Sequence, residues 1–560
     1  MTRHVARLFV FLLLAATCAF AQGGVTIRIN AAETVGPYKP ISGYFGYDEP
    51  NFTYTNYGRK LIGELARLGA SPIYIRTHFM LATGDGTPAL KFGSTNAYTE
   101  DVAGNPVYDW TITDRIMDTY LQAGAKPFVE IGFMPKALSS HPEPYTPVWK
   151  PGGNGSQYSL GWAYPPKDYA KWGALVNQWV KHVVGKYGRA EVESWYWEVW
   201  NEPDIGYWHG TPEEYDRLYD YAADGLKRAL PTARIGGPAS TGPTVDHGAN
   251  FLRQFLEHCA NGKNAATGAV GAPLDFVTFH AKGRTAVVDG HVQMRMSKNA
   301  GDAAQGFAIV SSFPRFRSLP IVISESDPDG CAACSATFYP QNDYRNDPLY
   351  ASYEAAMMKN IFELADREKT NIAGMLTWAF EFEDTPYFEG FRTLATNGID
   401  KPVLNVFRMA GLMRGHRVTT ESSGRVPLAM IETDGVRGNP DIDALAVGSD
   451  RELSILVWNY HDDKVPGPDA AVQIQIAGIP TTAKRVLLRH YRIDDTHSNS
   501  WTAWKKMGSP PQPTPEQYAS LEAAGQLQEF ESPRWIDSDK RTHLDLGLPR
   551  QAVSLLQLSW

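Results

Sequence analysis

The chain predicts a (β/α)8 barrel followed by an antiparallel β-sandwich, and three observations carry that reading. Eight short runs of β-branched and aromatic residues recur between about residues 41 and 408. Amphipathic stretches separate most of them, and alternating strand and helix builds a parallel sheet with helices outside it. Beyond about residue 418 the helical periodicity gives way to short strands between turns, the pattern of an antiparallel sheet. The 560 residues leave room for a barrel of about 250 residues plus a second unit. The organisation that follows is a leader over 1–21, a barrel over 22–410 and a sandwich over 411–560, with residues 25–30 available as a further strand of the sandwich.

The first barrel strand is read at 41–47, where Ile41, Tyr44, Phe45 and Tyr47 crowd together. Leu61, Leu65 and Leu68 then line one face at helical spacing. Strands follow at 72–76 and 127–131, and the fourth, 194–200, carries three tryptophans. Behind it Tyr215, Leu218, Tyr219, Ala222 and Leu226 mark another helix face. The fifth strand, 233–236, is the shortest and the weakest in its pattern. Strands at 275–280, 320–324 and 374–380 complete eight. The sandwich is read from 444–447, 453–458, 472–476, 485–491 and 553–558, and strand 25–29 could join it by bringing the chain ends together.

Composition narrows the function class. A hydrophobic share of 43% suits a large globular core. Aromatic residues reach 12%, and since sugar rings stack on aromatic faces the excess leans toward a carbohydrate ligand. The net charge of −8 leaves no basic footprint for nucleic acid. Arg3 and Arg7, the apolar run 8–20 and Ala19-Phe20-Ala21 form a secretory leader, with cleavage expected after Ala21. The run is short for a membrane span, so an exported, periplasmic or extracellular protein without membrane attachment is expected. A lipid anchor through Cys18 is disfavoured by Thr17. Cys331 and Cys334 form a C-x-x-C that a local disulfide would close in an exported protein. No second Cys/His pair lies at ligand spacing, so no metal or cofactor is expected, and Cys259 reads as a buried thiol. Oligomeric state is not legible.

Two glutamates stand where strands end. Glu202 follows Trp195-Tyr196-Trp197-Glu198-Val199-Trp200-Asn201, and Glu325 follows Ile321-Val322-Ile323-Ser324. Acids at the C-terminal mouth of barrel strands are placed to act on a bound ligand. Paired carboxylates about 5–5.5 Å apart are the working groups of a retaining glycosidase, one attacking the anomeric carbon and one protonating the leaving oxygen. The acid must hold its proton, which an ionised neighbour helps it do. Asn201 could hydrogen-bond the sugar 2-hydroxyl, and Pro203 keeps Glu202 out of a right-handed helix. The plain alternative is a glutamate in a solvated turn; a second strand-end glutamate in the same barrel argues against it.

The segment Glu198-Val199-Trp200-Asn201-Glu202-Pro203-Asp204 resembles the fourth-strand motif of glycoside hydrolase family 39, which holds β-xylosidases and α-L-iduronidases. Ile75-Arg76-Thr77-His78, Phe133-Met134-Pro135 and the 275–283 stretch resemble its second-, third- and sixth-strand motifs. Arg489-His490-Tyr491-Arg492-Ile493-Asp494, His497-Ser498-Asn499 and Pro515-Glu516-Gln517-Tyr518 resemble its sandwich domain. The resemblance implies an exo-acting retaining enzyme with Glu202 as acid/base and Glu325 as nucleophile.

The glycone is read from what surrounds the pair. Trp208 and the tail look like bacterial β-xylosidases, which makes a β-xyloside from hemicellulose the first expectation. In Phe279-His280-Ala281-Lys282-Gly283, however, Lys282 is similar to the iduronidase lysine on the uronate carboxylate, and Arg392 stands where iduronidases place an arginine on the same group. A uronide or α-L-arabinoside is therefore the runner-up. The competing reading has Lys282 and Arg392 paired with Glu383, Asp384 or Asp327, merely ordering the pocket. By resemblance Glu383 and Asp384 read sugar hydroxyls and Trp378 is a stacking platform. His78 and His280 are sugar contacts by the same argument, or packed histidines in the barrel mouth. Arg76 is expected to support the nucleophile without touching sugar. A non-catalytic sugar-binding protein is the alternative from another class, and it has no need of a second carboxylate at reacting distance.

Overall fold

A computed structural model describes residues 24–69, 72–147, 149–152, 160–480, 482–538 and 542–560. The leader lies outside the described residues. Eight parallel strands close into a barrel: Tyr44–Tyr47, Tyr74–Thr77, Lys126–Ile131, Tyr196–Val199, Arg234–Ser240, Phe276–His280, Pro320–Glu325 and Asn371–Trp378. Each predicted strand finds its counterpart within a few residues. The glycine-rich fifth strand is longer than its sequence suggests, running on through Gly236 and Gly237 to Ser240. Gly236 is required there, since a Cβ would meet the Phe276 carbonyl oxygen of the next strand at 2.5 Å.

The barrel interior is layered, as side chains two residues apart share a face. Tyr44, Tyr74, Phe128, Tyr196, Phe276, Val322 and Leu376 form an aromatic floor. Tyr74 lies 4.9 Å from Tyr196, and Tyr196 lies 4.8 Å from Phe276, ring centre to ring centre. Two residues further along the same strands stand Arg76, Glu130, Glu198 and Trp378, all buried. The floor excludes water beneath a charged layer, so those charges must be answered by one another. The helices outside bury the other strand face, with Phe45 against Phe407 at 5.2 Å as one such contact.

The second unit is one nine-stranded sheet with its own core of Ile27, Ile29, Ile442, Val457, Ile474 and Leu556. Strand Val25–Pro37 does join it, lying antiparallel to His416–Ser422 and parallel to Ala470–Ala477. That parallel pair is the exception among the antiparallel pairings of the described sheet. Two helices of this unit, Ser500–Lys506 and Pro515–Gly525, reach back over the segment that follows the eighth barrel strand. Tyr518 donates its hydroxyl to the Asn397 carbonyl at 3.1 Å, and Lys60 meets Glu522 at 2.6 Å. The segment 381–398, which carries Glu383 and Asp384, is thereby held from above by the second domain.

Candidate active site

Glu202 and Glu325 meet at the C-terminal mouth of the barrel. Glu202 follows the fourth strand in a strained turn, with Trp200 at φ +71° and Glu202 at φ +42°. Non-glycine residues adopt such angles only where their surroundings over-determine them. Here the Glu202 N–H donates to the Ala239 carbonyl at the end of the fifth strand, at 2.9 Å. Glu325 ends the seventh strand. Val322 belongs to the barrel floor, while Ile321 and Ile323 pack outward. Simple alternation would therefore turn Glu325 outward as well. A register shift between Ile323 and Glu325 against the sixth strand re-aims it into the mouth.

One carboxylate oxygen from each glutamate and one ring nitrogen of His280 all lie within 4.8 Å of one another. The cation standing between them is the Lys282 ammonium, 2.7 Å from Glu202 Oε1 and 2.6 Å from Glu325 Oε2. His280 Nδ1 lies 2.8 Å from Glu202 Oε1, and its Nε2 is 3.7 Å from Glu325. Beneath them Arg76 is fully buried and bonded to Glu198 at 2.5 Å, Glu130 at 3.1 Å and Glu325 at 3.4 Å. It also donates to Asn201 Oδ1 at 3.0 Å, while Asn201 Nδ2 has no protein partner among the described residues. His78 bridges Asp48 at 2.7 Å, Glu130 at 3.2 Å and Glu325 at 3.5 Å. Its ring packs on Trp378 with centres 4.2 Å apart, and Arg76 stands 5.0 Å from the Trp378 ring.

This crowd of charge sets the protonation states. Burial alone would raise the Glu202 carboxyl, but Lys282 and the His280 hydrogen bond outweigh it and hold it at about 2. Burial opposes Glu325 too, yet His280, Lys282, His78 and Arg76 pull it well below the usual range. Burial dominates at Glu130, which rises to about 7 despite His78 and Arg76. The site therefore holds both strand-end glutamates ionised, whereas the sequence asks Glu202 for a proton. At Glu202 the difference comes from the Lys282 ammonium first and from the His280 hydrogen bond beside it.

His78 gives a testable consequence. Burial would lower it, but Glu130 and its bonds to Asp48 and Glu325 raise it from 6.5 to about 9. A raised histidine contributes stability that is fully present below pH 6.5 and lost as pH rises through about 9. The melting temperature is expected to fall across that window, and His78→Gln should flatten the fall. Calorimetry at stepped pH checks it; equal slopes for parent and variant would refute the assignment.

The remaining expected site residues are spread more widely. Trp378 is buried below the mouth, its backbone N–H donating to Asp327 at 2.7 Å. Arg392 is fully buried, 3.3 Å from Asp327 and 3.4 Å from Asp329. Glu383 accepts the Tyr57 N–H at 2.6 Å, and Asp384 is exposed at φ +56°. Cys331 and Cys334 are joined in a disulfide on the loop leaving the seventh strand, and Cys259 is a buried thiol. Sequence reasoning passed over Glu130, Glu198 and Asp48. For the two glutamates the signal was available: an acid inside an apolar strand needs a buried cation, and Arg76 was the candidate.

A profile of Glycosyl hydrolases family 39 matches residues 73–539. A β-xylosidase of Caldicellulosiruptor saccharolyticus is 28% identical over 457 residues, covering 79% of this chain and 82% of that protein. An α-L-iduronidase of Mus musculus is 24% identical over 590 residues, covering 98% of this chain and 83% of that protein. The crystal structure of a monomeric β-xylosidase from Caulobacter crescentus superposes with a TM-score of 0.72 at 23% identity, over 95% of this chain and 99% of that one.

Proposed function

The chain belongs to Glycosyl hydrolases family 39, and from that premise we propose that this glycosidase is an exo-acting enzyme that works with retention of configuration. The observation that carries the reading is the approach of the two carboxylates, with oxygens within 4.8 Å. That spacing suits direct attack; an inverting enzyme spaces its carboxyl groups about 6.5–9.5 Å apart to admit a water. In the first step a Glu325 oxygen bonds to the anomeric carbon as the glycosidic C–O bond breaks, and Glu202 gives its proton to the leaving oxygen. In the second, water attacks that carbon, its proton passes to Glu202, and the bond to Glu325 breaks. His280 and Lys282 position the pair from the sixth strand and the turn after it; Arg76 and His78 keep Glu325 ionised. The unpartnered Asn201 Nδ2 supports a bond to a sugar hydroxyl.

A terminal β-xyloside is the first substrate, as the β-xylosidase relatives suggest. A glycone bearing a carboxylate is the second, favoured by a lysine ammonium at the reacting pair and by the α-L-iduronidase relatives. The Cys331–Cys334 disulfide and the N-terminal leader support export into an oxidising compartment. Proton NMR of the first-formed sugar tests the stereochemistry. The starting anomer is expected, and the opposite anomer would defeat the proposal. A panel of nitrophenyl β-xyloside, α-L-arabinoside, β-glucuronide and α-L-iduronide ranks the glycones, with at least a tenfold preference in kcat/KM expected for the xyloside or the iduronide.

A further inference from the structure

Four basic side chains surround the carboxylate pair, and one differs from the others. Arg76, His78 and His280 are sealed, with side chains 0–2% exposed. The Lys282 side chain is 20% exposed and reaches the pair from the mouth. Its backbone is pinned on both sides to the seventh strand's exit. The Ala281 N–H donates to the Glu325 carbonyl at 2.9 Å, and the Gly283 N–H to that of Asp327 at 2.7 Å. Gly283 has no room for a side chain, since a Cβ would meet the Pro328 carbonyl oxygen at 2.3 Å. Any motion of Lys282 is therefore rotation of its own flexible stem. Among the described residues the ammonium's partners are the two carboxylates alone.

Resting on the reading of Glu202 as acid/base, we propose that Lys282 is a displaceable counter-ion, clamping the carboxylate pair until substrate draws it off and lets Glu202 carry the proton it donates. A glycone with a carboxylate within reach of Lys282 would then arm its own hydrolysis, because an anion competes for an ammonium far better than a neutral hydroxyl does. Once the ammonium leaves, Glu202 faces ionised Glu325 and, on its own loop, Asp204, a buried carboxyl that already feels the Glu202 charge. Among the described residues His280 remains the hydrogen-bond partner of its carboxylate, while His78 and Arg76 act on Glu325. Like charge at that distance favours protonation, and the proton comes from solvent. Lys282 is thus a positioning residue for proton transfer, and its effect depends on the charge of the sugar.

Two measurements test this. In pH profiles of kcat/KM on a neutral nitrophenyl β-xyloside, Lys282→Met should move the alkaline limb upward by about one pH unit or more, the effect of one adjacent charge. Lys282→Arg should leave the limb near the parent's. A limb that stays put or moves down in Lys282→Met overturns the proposal. If Lys282→Met fails to fold, calorimetry on the parent decides. Binding of free glucuronate or iduronate, compared across two buffers of different ionisation enthalpy, should take up close to one proton, and xylose markedly less. Uronate that fails to bind, or binds without proton uptake, overturns it. Failure of the underlying reading looks different: Glu202→Gln would then retain hydrolysis of an unactivated disaccharide.

Discussion

Replacing Glu325 with glutamine is expected to abolish turnover on every glycoside, activated or not, while leaving the melting transition of the barrel in place. Glutamine keeps the shape and hydrogen-bonding capacity of the side chain but cannot form the covalent ester on which the first step depends. Glu202→Gln should fail differently. General acid–base help is worth roughly 10²–10⁴-fold, and a natural sugar leaving group needs all of it. A nitrophenolate leaves without a proton, so the first step should survive on that substrate while the second, which needs a base, becomes rate-limiting. A burst of nitrophenolate followed by slow turnover is the expected signature, with the glycosyl group on Glu325 detectable by mass spectrometry of the peptide. Adding azide, which attacks without a base, should restore turnover and yield a glycosyl azide in Glu202→Gln but not in Glu325→Gln. If the two variants behave alike toward azide, the roles assigned to the glutamates are wrong.

The fold was readable because its signals are local. Eight apolar runs with β-branched and aromatic residues, each bounded by turns, locate eight strands whatever the tertiary context. The exceptions follow the same logic. Gly236 helps hide a strand because its role is close approach to a neighbouring strand, which composition does not show. Strands His416–Ser422, Gln528–Asp537 and Thr542–Leu548 escaped because their residues alternate with charge or sit at a sheet edge. For the site, position at a strand end identified Glu202 and Glu325, but not which way Glu325 points. Its aim comes from a one-residue register shift, a property of pairing between strands. Lys282 shows the same limit. Two readings of it were open, substrate contact or pairing with Glu383, Asp384 or Asp327. The structure gives a third, a bridge between the two glutamates, which depends on residues some 80 and 43 positions away in a chain whose spacing says nothing of their meeting.

Arg76→Met should cost the barrel about 3–5 kcal/mol, the usual consequence of removing one partner from a buried ionic network. The reasoning rests on what is left behind. Arg76 has no solvent exposure and answers Glu198, Glu130 and Glu325 at once. Methionine fills the same length beside Trp378 but leaves Glu130 and Glu198, both without solvent exposure, above an aromatic floor. Glu130, already raised to about 7, should then bind a proton at neutral pH, so the loss of stability is expected to be smallest in mild acid and to grow as pH rises. Arg76→Lys keeps the charge but not the planar fork that reaches several acceptors, and should fall between parent and Arg76→Met. The same substitution removes one of the cations that hold Glu325 ionised. The acid limb of kcat/KM should accordingly move upward in Arg76→Met. Denaturant unfolding of the barrel and the pH profile are read on the same variant, and the two effects must appear together. A variant as stable as the parent with an unmoved acid limb would mean that Glu130 is neutral already, and that Arg76 does not hold the layer by its charge.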